Sequence, residues 1–102
     1  MAPVRYLRAC IAYRRAVNMA EEYHAKDNNR YYVICGSGRT LNVITREHFR
    51  KLKRRGFIND KATVSTLEKR AFYYTAYPNG QGAMTPEDEK ARRTICINWL
   101  KR

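Results

Sequence analysis

Apolar and polar positions alternate with a helical period through the first part of the chain. Val4, Leu7 and Ile11 share one side of such a helix. A second apolar set recurs at spacings of three and four residues and comprises Tyr6, Cys10, Tyr13, Val17 and Ala20. Pro3 is suited to a helix start, and the run DNN that begins at residue 27 is typical of a helix end. The pattern predicts a helix over residues 4–26.

The hydrophobic period changes to two after residue 30, which indicates β-strands. Two β-prone runs at residues 31–35 and 40–44 flank Gly36-Ser37-Gly38, so the sequence predicts a β-hairpin over residues 31–44. The glycines do not match a phosphate-binding loop, because neither GxxxxGK[ST] nor GxGxxG is present and a strand follows them. We interpret them as the hairpin turn.

The length of that turn decides which tyrosine of the hairpin faces outward. A three-residue loop would pair Val33 with Leu41 and turn Tyr32 outward, whereas a two-residue loop would pair Ile34 with Leu41 and turn Tyr31 outward. The alternative to both is that helices cover the two faces of the sheet, in which case each tyrosine belongs to the core or its rim.

The segment TREHFRKLKRRGFI predicts a short helix with well-defined ends. Thr45 is suited to cap its N-terminus, and Gly56 is suited to end it in a left-handed conformation. Phe57 is expected to fold back onto the last turn. At 100° per residue, Phe49 and Leu52 form the stripe that faces the core.

The second half of the chain contains two further helix signals and one further strand signal. The run at 65–68, SerThrLeuGlu, fits a capping box and predicts a short helix near 64–70. The aromatic run AFYYTAY at 71–77 predicts a third strand, with a continued helix as the alternative. TPED at 85–88 predicts the start of a final helix that runs to the end. The expected apolar stripe of that helix comprises Ala91, Ile95 and Trp99, joined by Cys96 and Leu100.

These elements predict an α+β fold in a single domain spanning residues 1–102. A small antiparallel sheet, made of the hairpin 31–44 and a strand at 71–77, would be packed by an N-terminal helix, a short basic helix and a C-terminal helix.

The charge balance is the outstanding feature of the composition. The chain has 21 Lys and Arg against 9 Asp and Glu, a formal net charge of +12, and each third of the sequence is net positive. A field of this kind attracts nucleic acid, anionic membranes or acidic proteins. No run approaches the roughly 20 apolar residues of a membrane span, so a membrane partner is not expected.

The sequence shows no motif for catalysis or metal binding. His24 and His48 are the only histidines, and neither lies beside a nucleophile or in a metal-ligand spacing. The three cysteines are far apart and lie among apolar neighbours, which predicts reduced core residues and a cytoplasmic location: Cys10, Cys35 and Cys96. We therefore expect a protein that is not an enzyme and that uses no metal or cofactor.

The cations of the short basic helix suggest the partner. When the helix is projected, they surround its whole exposed side with one interruption at Glu47, a distribution suited to phosphate contacts and not to reading bases. The expected phosphate-binding residues are Arg46, Arg50, Lys51, Lys53, Arg54 and Arg55, with help from Arg39, Arg92 and Arg93. Tyrosines on the predicted strands are candidates for stacking on bases: Tyr31, Tyr32, Tyr73 and Tyr74.

The order of hairpin, basic helix, aromatic strand, NG loop and final helix resembles small uncharacterised basic proteins of bacteriophages and mobile elements of gut bacteria. The resemblance lies in YYVICGSGRTLNVITREHFRKLKRRGFI and LEKRAFYYTAYPNGQG, under half of the chain. It transfers no functional residues. It implies a setting in which small basic proteins either bind nucleic acid or block a protein of the host.

The leading hypothesis is therefore a non-enzymatic accessory protein that binds DNA or RNA mainly through the phosphate backbone. One alternative is an inhibitor of a host protein, which would bind an acidic or nucleic-acid-binding surface of its target. Another is a structural component of a virion or a ribonucleoprotein assembly.

Overall fold

The computed structural model describes residues 3–102, with side chains from residue 4 onward. The helices are α1 (Pro3–Asp27), α2 (Arg46–Arg54), α3 (Val64–Arg70) and α4 (Pro86–Leu100). The strands are β1 (Tyr31–Cys35), β2 (Leu41–Thr45) and β3 (Tyr73–Tyr74). The predicted α+β class is confirmed: the sheet is antiparallel with the order β2-β1-β3, so the first strand is central.

Helices cover both faces of this small sheet. On one face, Val33 of β1 packs with Ala16 and Ala20 of α1, and α4 joins α1 through a neighbouring apolar cluster. On the other face, Tyr32 packs with Phe49 of α2 and with residues of α3. Successive strand residues point to opposite faces, so the period of two in β1 supplies both layers of the core. Both faces of the sheet are therefore packed against helices within the described residues.

The hairpin register differs from both predicted registers. β1 and β2 pair Val33 with Val43 and Cys35 with Leu41, which leaves a five-residue loop over residues 36–40. A 3₁₀ turn fills this loop, in which Gly38 and Arg39 adopt positive φ angles of 65° and 60°. The Gly36 amide donates to the Thr40 carbonyl at 2.7 Å and closes the loop. The GSG signal therefore identified the turn but gave too short a loop.

The predicted ends of α2 are confirmed. The Thr45 hydroxyl accepts a hydrogen bond from the amide of His48 at 3.2 Å. Gly56, at φ 81°, donates to the carbonyl of Lys53, and the Phe57 amide donates to that of Leu52, which is a Schellman motif. The prediction that Phe57 folds back is wrong, because its side chain is 74% exposed.

The prediction for the third strand and the short helix needs two corrections. Within the predicted strand 71–77, β3 comprises only Tyr73 and Tyr74, and the flanking amides of Phe72 and Thr75 also donate to β1 carbonyls. The short helix has the predicted bounds, but its cap is Thr63, whose hydroxyl accepts from the Thr66 amide at 3.2 Å. The predicted capping box at 65–68 already lies inside the helix.

The buried faces of the two long helices also differ from the predicted stripes. In α1, Val4, Leu7 and Ile11 are half or more exposed. The buried residues of α1 are Ala9, Tyr13, Ala16 and Ala20, so the second predicted set is confirmed at Tyr13 and Ala20. In α4, Ile95 is 61% exposed, and Ile97 is buried with Cys96.

The three cysteines are free thiols in different surroundings. Cys96 is buried, and burial is the main cause that raises its pKa to about 12. Cys35 is exposed at the end of β1, so its prediction as a core residue is wrong. Within residues 3–102, no helix is long and apolar enough to cross a membrane.

Candidate nucleic-acid interface

The short helix α2 is anchored on one side and cationic on the other. Phe49 is buried against the sheet, and Leu52 is half-buried beside it. The nine residues of α2 include five basic residues and one acid. The predicted cations lie as expected, with only Lys53 half-buried and the others exposed: Arg46, Arg50, Lys51, Lys53, Arg54 and the cap residue Arg55. We call these six residues the collar.

Acidic residues neutralise the collar only in part. Glu47 forms an ion pair with Lys51 at 3.7 Å, with 79% of the Glu47 side chain and 56% of the Lys51 side chain exposed. Pairs so open to solvent contribute little to stability, because water screens them. An open groove of about 600 Å³ runs beside the helix and is lined by Arg50, Lys53 and Arg54 together with Glu47 and Asp60. The collar therefore keeps most of its charge available to a partner.

Arg39 lies apart from the collar at the far end of β2. Its Nη1 donates to the Trp99 carbonyl at 3.0 Å, and its guanidinium carbon lies 5.4 Å from the centre of the Trp99 ring. Five strand residues separate Arg39 from α2, a distance of about 15 Å. Other cations surround it in a shallow depression of about 450 Å³, which is lined by Arg5, Arg8, Arg39, Lys101 and Arg102 among others.

Arg92 and Arg93, neighbours in α4, have different surroundings. The Nη1 of Arg92 donates to the carbonyls of Glu68 and Ala71 at 2.6 Å each, and its Nε donates to Asp88 at 3.0 Å. The Arg92 side chain is only 18% exposed, so its hydrogen-bonding capacity is used inside the fold. Arg93 is exposed and lines a depression between α1 and α4.

The four tyrosines predicted to stack on bases lie in the core or at its rim. Tyr32 is fully buried and cannot stack on a base in this fold. Tyr31 donates its hydroxyl to Asp27, and Tyr73 donates its hydroxyl to Glu21. The hydrogen bond to Asp27 raises the pKa of Tyr31 to about 12. Tyr74 is half-buried between two arginines. Because helices cover both faces of the sheet, the predicted stacking platform does not form.

A buried arginine that the sequence did not single out lies next to α2. Arg30 precedes β1, and 7% of its side chain is exposed. Its guanidinium carbon lies 3.9 Å from the ring centre of Tyr77 and 4.2 Å from that of Tyr74. Its Nη2 lies 3.5 Å from Glu68, which also accepts the Tyr77 hydroxyl at 2.8 Å. No local pattern distinguishes Arg30 from the other cations, because its partners lie more than thirty residues away.

This arginine borders a cavity of about 270 Å³ between the start of β1, the N-terminus of α2 and the loop at residues 77–78. The residues lining the cavity are Asn29, Arg30, Tyr32, Thr45, Arg46, Glu47, Arg50, Tyr77 and Pro78. Two collar residues therefore face the same space as the buried arginine, and Arg50 lines both this cavity and the open groove.

The described part of the chain contains no cluster of three or more His, Cys, Asp or Glu side chains arranged to hold a metal ion. Comparisons of the chain with protein-family models, with curated proteins and with solved structures give no significant match. The chemistry of the surface therefore carries the functional argument.

Proposed function

We propose that this chain is a non-enzymatic nucleic-acid-binding accessory protein whose helix α2 contacts the phosphate backbone. The observation that supports the proposal is the collar: six cations around a helix that Phe49 fixes to the core, with one exposed acid among them. A helix held at both ends and along one side presents its cations without further ordering. Less conformational entropy is then lost when a polyanion binds.

The same surface favours backbone contacts over the reading of bases. Sequence-specific helices use Asn, Gln or Arg side chains aimed at base edges in the major groove. The exposed positions of α2 carry no Asn or Gln, and its arginines and lysines spread around the helix. Stacking on bases makes no contribution to the proposal, because Tyr32 is buried, Tyr31 and Tyr73 donate their hydroxyls within the fold, and the half-buried ring of Tyr74 lies against Arg30 and Arg92.

The proposal predicts strong dependence on salt. About five phosphate contacts give a slope of roughly −4 to −5 for the logarithm of the association constant against that of the salt concentration on duplex DNA. Fluorescence anisotropy with a labelled duplex and a labelled RNA measures this slope. The triple variant Arg50→Gln, Lys53→Gln, Arg54→Gln removes three contacts, and we expect it to reduce the slope by roughly 2.7.

A matched control carries the same change of charge on the opposite side of the sheet. Arg14→Gln, Arg15→Gln and Lys26→Gln replace three exposed cations of α1 and leave α2 intact. We expect this variant to keep most of the slope. A flat salt response of the unmodified protein, or equal slopes for the two triple variants, contradicts the proposed role of α2.

An exposed apolar stripe on α1 favours a second candidate function, namely binding to a host protein. Val4, Leu7 and Ile11 are 57%, 58% and 50% exposed and lie on one side of the helix. Contiguous exposed apolar side chains are typical of protein contacts. This candidate predicts that one protein is retained in stoichiometric amount from a nuclease-treated lysate and is lost with Leu7→Gln and Ile11→Gln. It fails if nuclease removes everything that the tagged protein retains.

A further inference from the structure

Two buried side chains that border the cavity beside α2, Arg30 and Tyr32, carry hydrogen-bond donors without partners. Within the described residues, Nε and Nη1 of Arg30 and the hydroxyl of Tyr32 are buried and make no hydrogen bond. Arg30 as a residue is 8% exposed and Tyr32 is 0% exposed. Buried polar groups in native proteins are almost always paired, and an arginine cannot lose its charge to avoid the cost. The two side chains can therefore donate to a further acceptor.

The state of the Tyr32 hydroxyl agrees with a role as donor. Burial raises its pKa, while the nearby charges of Arg30 and Arg46 act in the opposite direction. The hydroxyl therefore keeps its proton at neutral pH. Arg46 is close enough to influence it, but no hydrogen bond of acceptable geometry joins the two side chains.

The opening of the cavity is also suited to an anion. Arg46 and Arg50 line it, and both are exposed. The cavity lies at the N-terminus of α2, where the first backbone amides have no partner within the helix and the helix dipole favours negative charge. Thr45 caps only the His48 amide. Glu47 is the one acid in the lining, and its side chain is 79% exposed and paired with Lys51.

We infer that this cavity binds the terminal phosphate of a nucleic-acid strand, between the buried Arg30 and Tyr32 and the exposed Arg46 and Arg50 of its lining. A phosphate within a strand carries a sugar on each side, and both sugars would have to enter the cavity with it. A terminal phosphate carries three free oxygens and close to two negative charges, so it can use several donors at once. The volume of the cavity, about 270 Å³, is several times the roughly 30 Å³ share of one water molecule, so the cavity has room for a tetrahedral phosphate.

The inference rests on the proposed function for the source of the phosphate. Arg50 connects the phosphate cavity with the surface proposed to bind the backbone. Arg50 lines the cavity and also the open groove that contains Lys53 and Arg54. A strand whose end enters the cavity can therefore continue along the groove, where the collar contacts its backbone.

The test compares strands of one sequence that end in a 5′-phosphate, a 3′-phosphate or hydroxyls at both ends. We expect one phosphorylated strand to bind roughly tenfold more tightly than the hydroxyl strand, which corresponds to one or two charge-assisted hydrogen bonds. Tyr32→Phe removes only an unpartnered hydroxyl, so the variant folds, and we expect it to reduce this ratio severalfold. Lys53→Gln with Arg54→Gln, outside the cavity, is expected to weaken both strands and preserve the ratio.

A second measurement separates failure of the cavity from failure of the proposed function. Inorganic phosphate and a mononucleotide are added to the free protein, and the rise of Tm is compared between the unmodified protein and Arg46→Gln. Equal binding of all three strands, with no rise of Tm, overturns the phosphate site but leaves backbone binding intact. A rise of Tm that Arg46→Gln abolishes, without binding of any strand, supports the anion site and overturns both its nucleic-acid source and the proposed function.

Discussion

The partly buried Arg92 offers a direct test of how the fold is held together. Its Nη1 donates to the carbonyls of Glu68 and Ala71 at the C-terminal end of α3, both at 2.6 Å. Its Nε donates to Asp88 one turn earlier in α4. Because the last carbonyls of a helix have no partner within the helix, Arg92 acts as a cap supplied by another element. Arg92→Met keeps the unbranched apolar part of the side chain and removes these donors.

The contacts set the size of the expected effect. Leaving a buried acceptor without a partner costs about 1–3 kcal/mol, and Ala71 is only 2% exposed as a residue. Glu68 is more accessible, so water replaces part of what its carbonyl loses, and the partly exposed pair with Asp88 adds a smaller amount. We expect a loss of about 2–4 kcal/mol in the free energy of unfolding, which for a domain of this size corresponds to a fall of roughly 10–25 °C in Tm.

Urea unfolding, followed by circular dichroism and by the fluorescence of the single tryptophan Trp99, measures this loss. Trp99 lies in α4 with its ring centre 5.7 Å from that of Phe72, so its emission reports the packing of that helix. The control is Arg93→Met, which changes an exposed neighbour and should alter stability by less than about 0.5 kcal/mol. A loss below 0.5 kcal/mol for Arg92→Met, or equal losses for the two variants, would refute the capping role.

Two further predictions compare positions that the sequence alone does not separate. Gly82→Ala should destabilise the protein by more than Gly80→Ala. Both glycines have φ near 80°, but only at Gly82 would the new Cβ lie 2.5 Å from the Tyr77 ring. Equal changes of Tm for the two variants would contradict this. Thr63→Ala should lower the free energy of unfolding by about 1 kcal/mol through loss of the α3 cap, whereas Ser65→Ala inside the helix should change it by less than about 0.5 kcal/mol. Urea titrations measure both changes. The reverse order would support the capping box predicted at Ser65.

Signals that act within a few residues were sufficient for the local structure of this chain. Thr45 and Gly56 set the ends of α2, and Thr85 caps α4 by accepting from the Asp88 amide. The exposure of the collar also followed from the sequence, since Phe49 and Leu52 define one inward side and every cation lies elsewhere. Caps, turns and helical periods depend on neighbours along the chain, and those neighbours are visible in the sequence.

The buried side of α1 and the hairpin register could not be predicted in the same way. Val4, Leu7 and Ile11 form a regular stripe and are exposed, while the sheet packs against Ala16, which was not predicted, and Ala20, which belongs to the second predicted set. For the buried side of α1 and for the hairpin register, the local sequence is compatible with more than one arrangement. Contacts between distant elements select one arrangement, and the spacing of residues along the chain does not indicate those contacts.

By itself, the sequence determined that this protein is α+β, strongly basic, and equipped with a short capped helix whose cations face outward. Only the tertiary structure decided which arginines serve the fold and which are free for a partner. Arg92 caps a helix that lies more than twenty residues earlier, and Arg30 lies against Tyr74 and Tyr77, which are more than forty residues later in the chain. The physical reason is the range of the interactions: helix caps and periodicity act over a few residues, whereas burial and pairing of charge depend on contacts between distant segments.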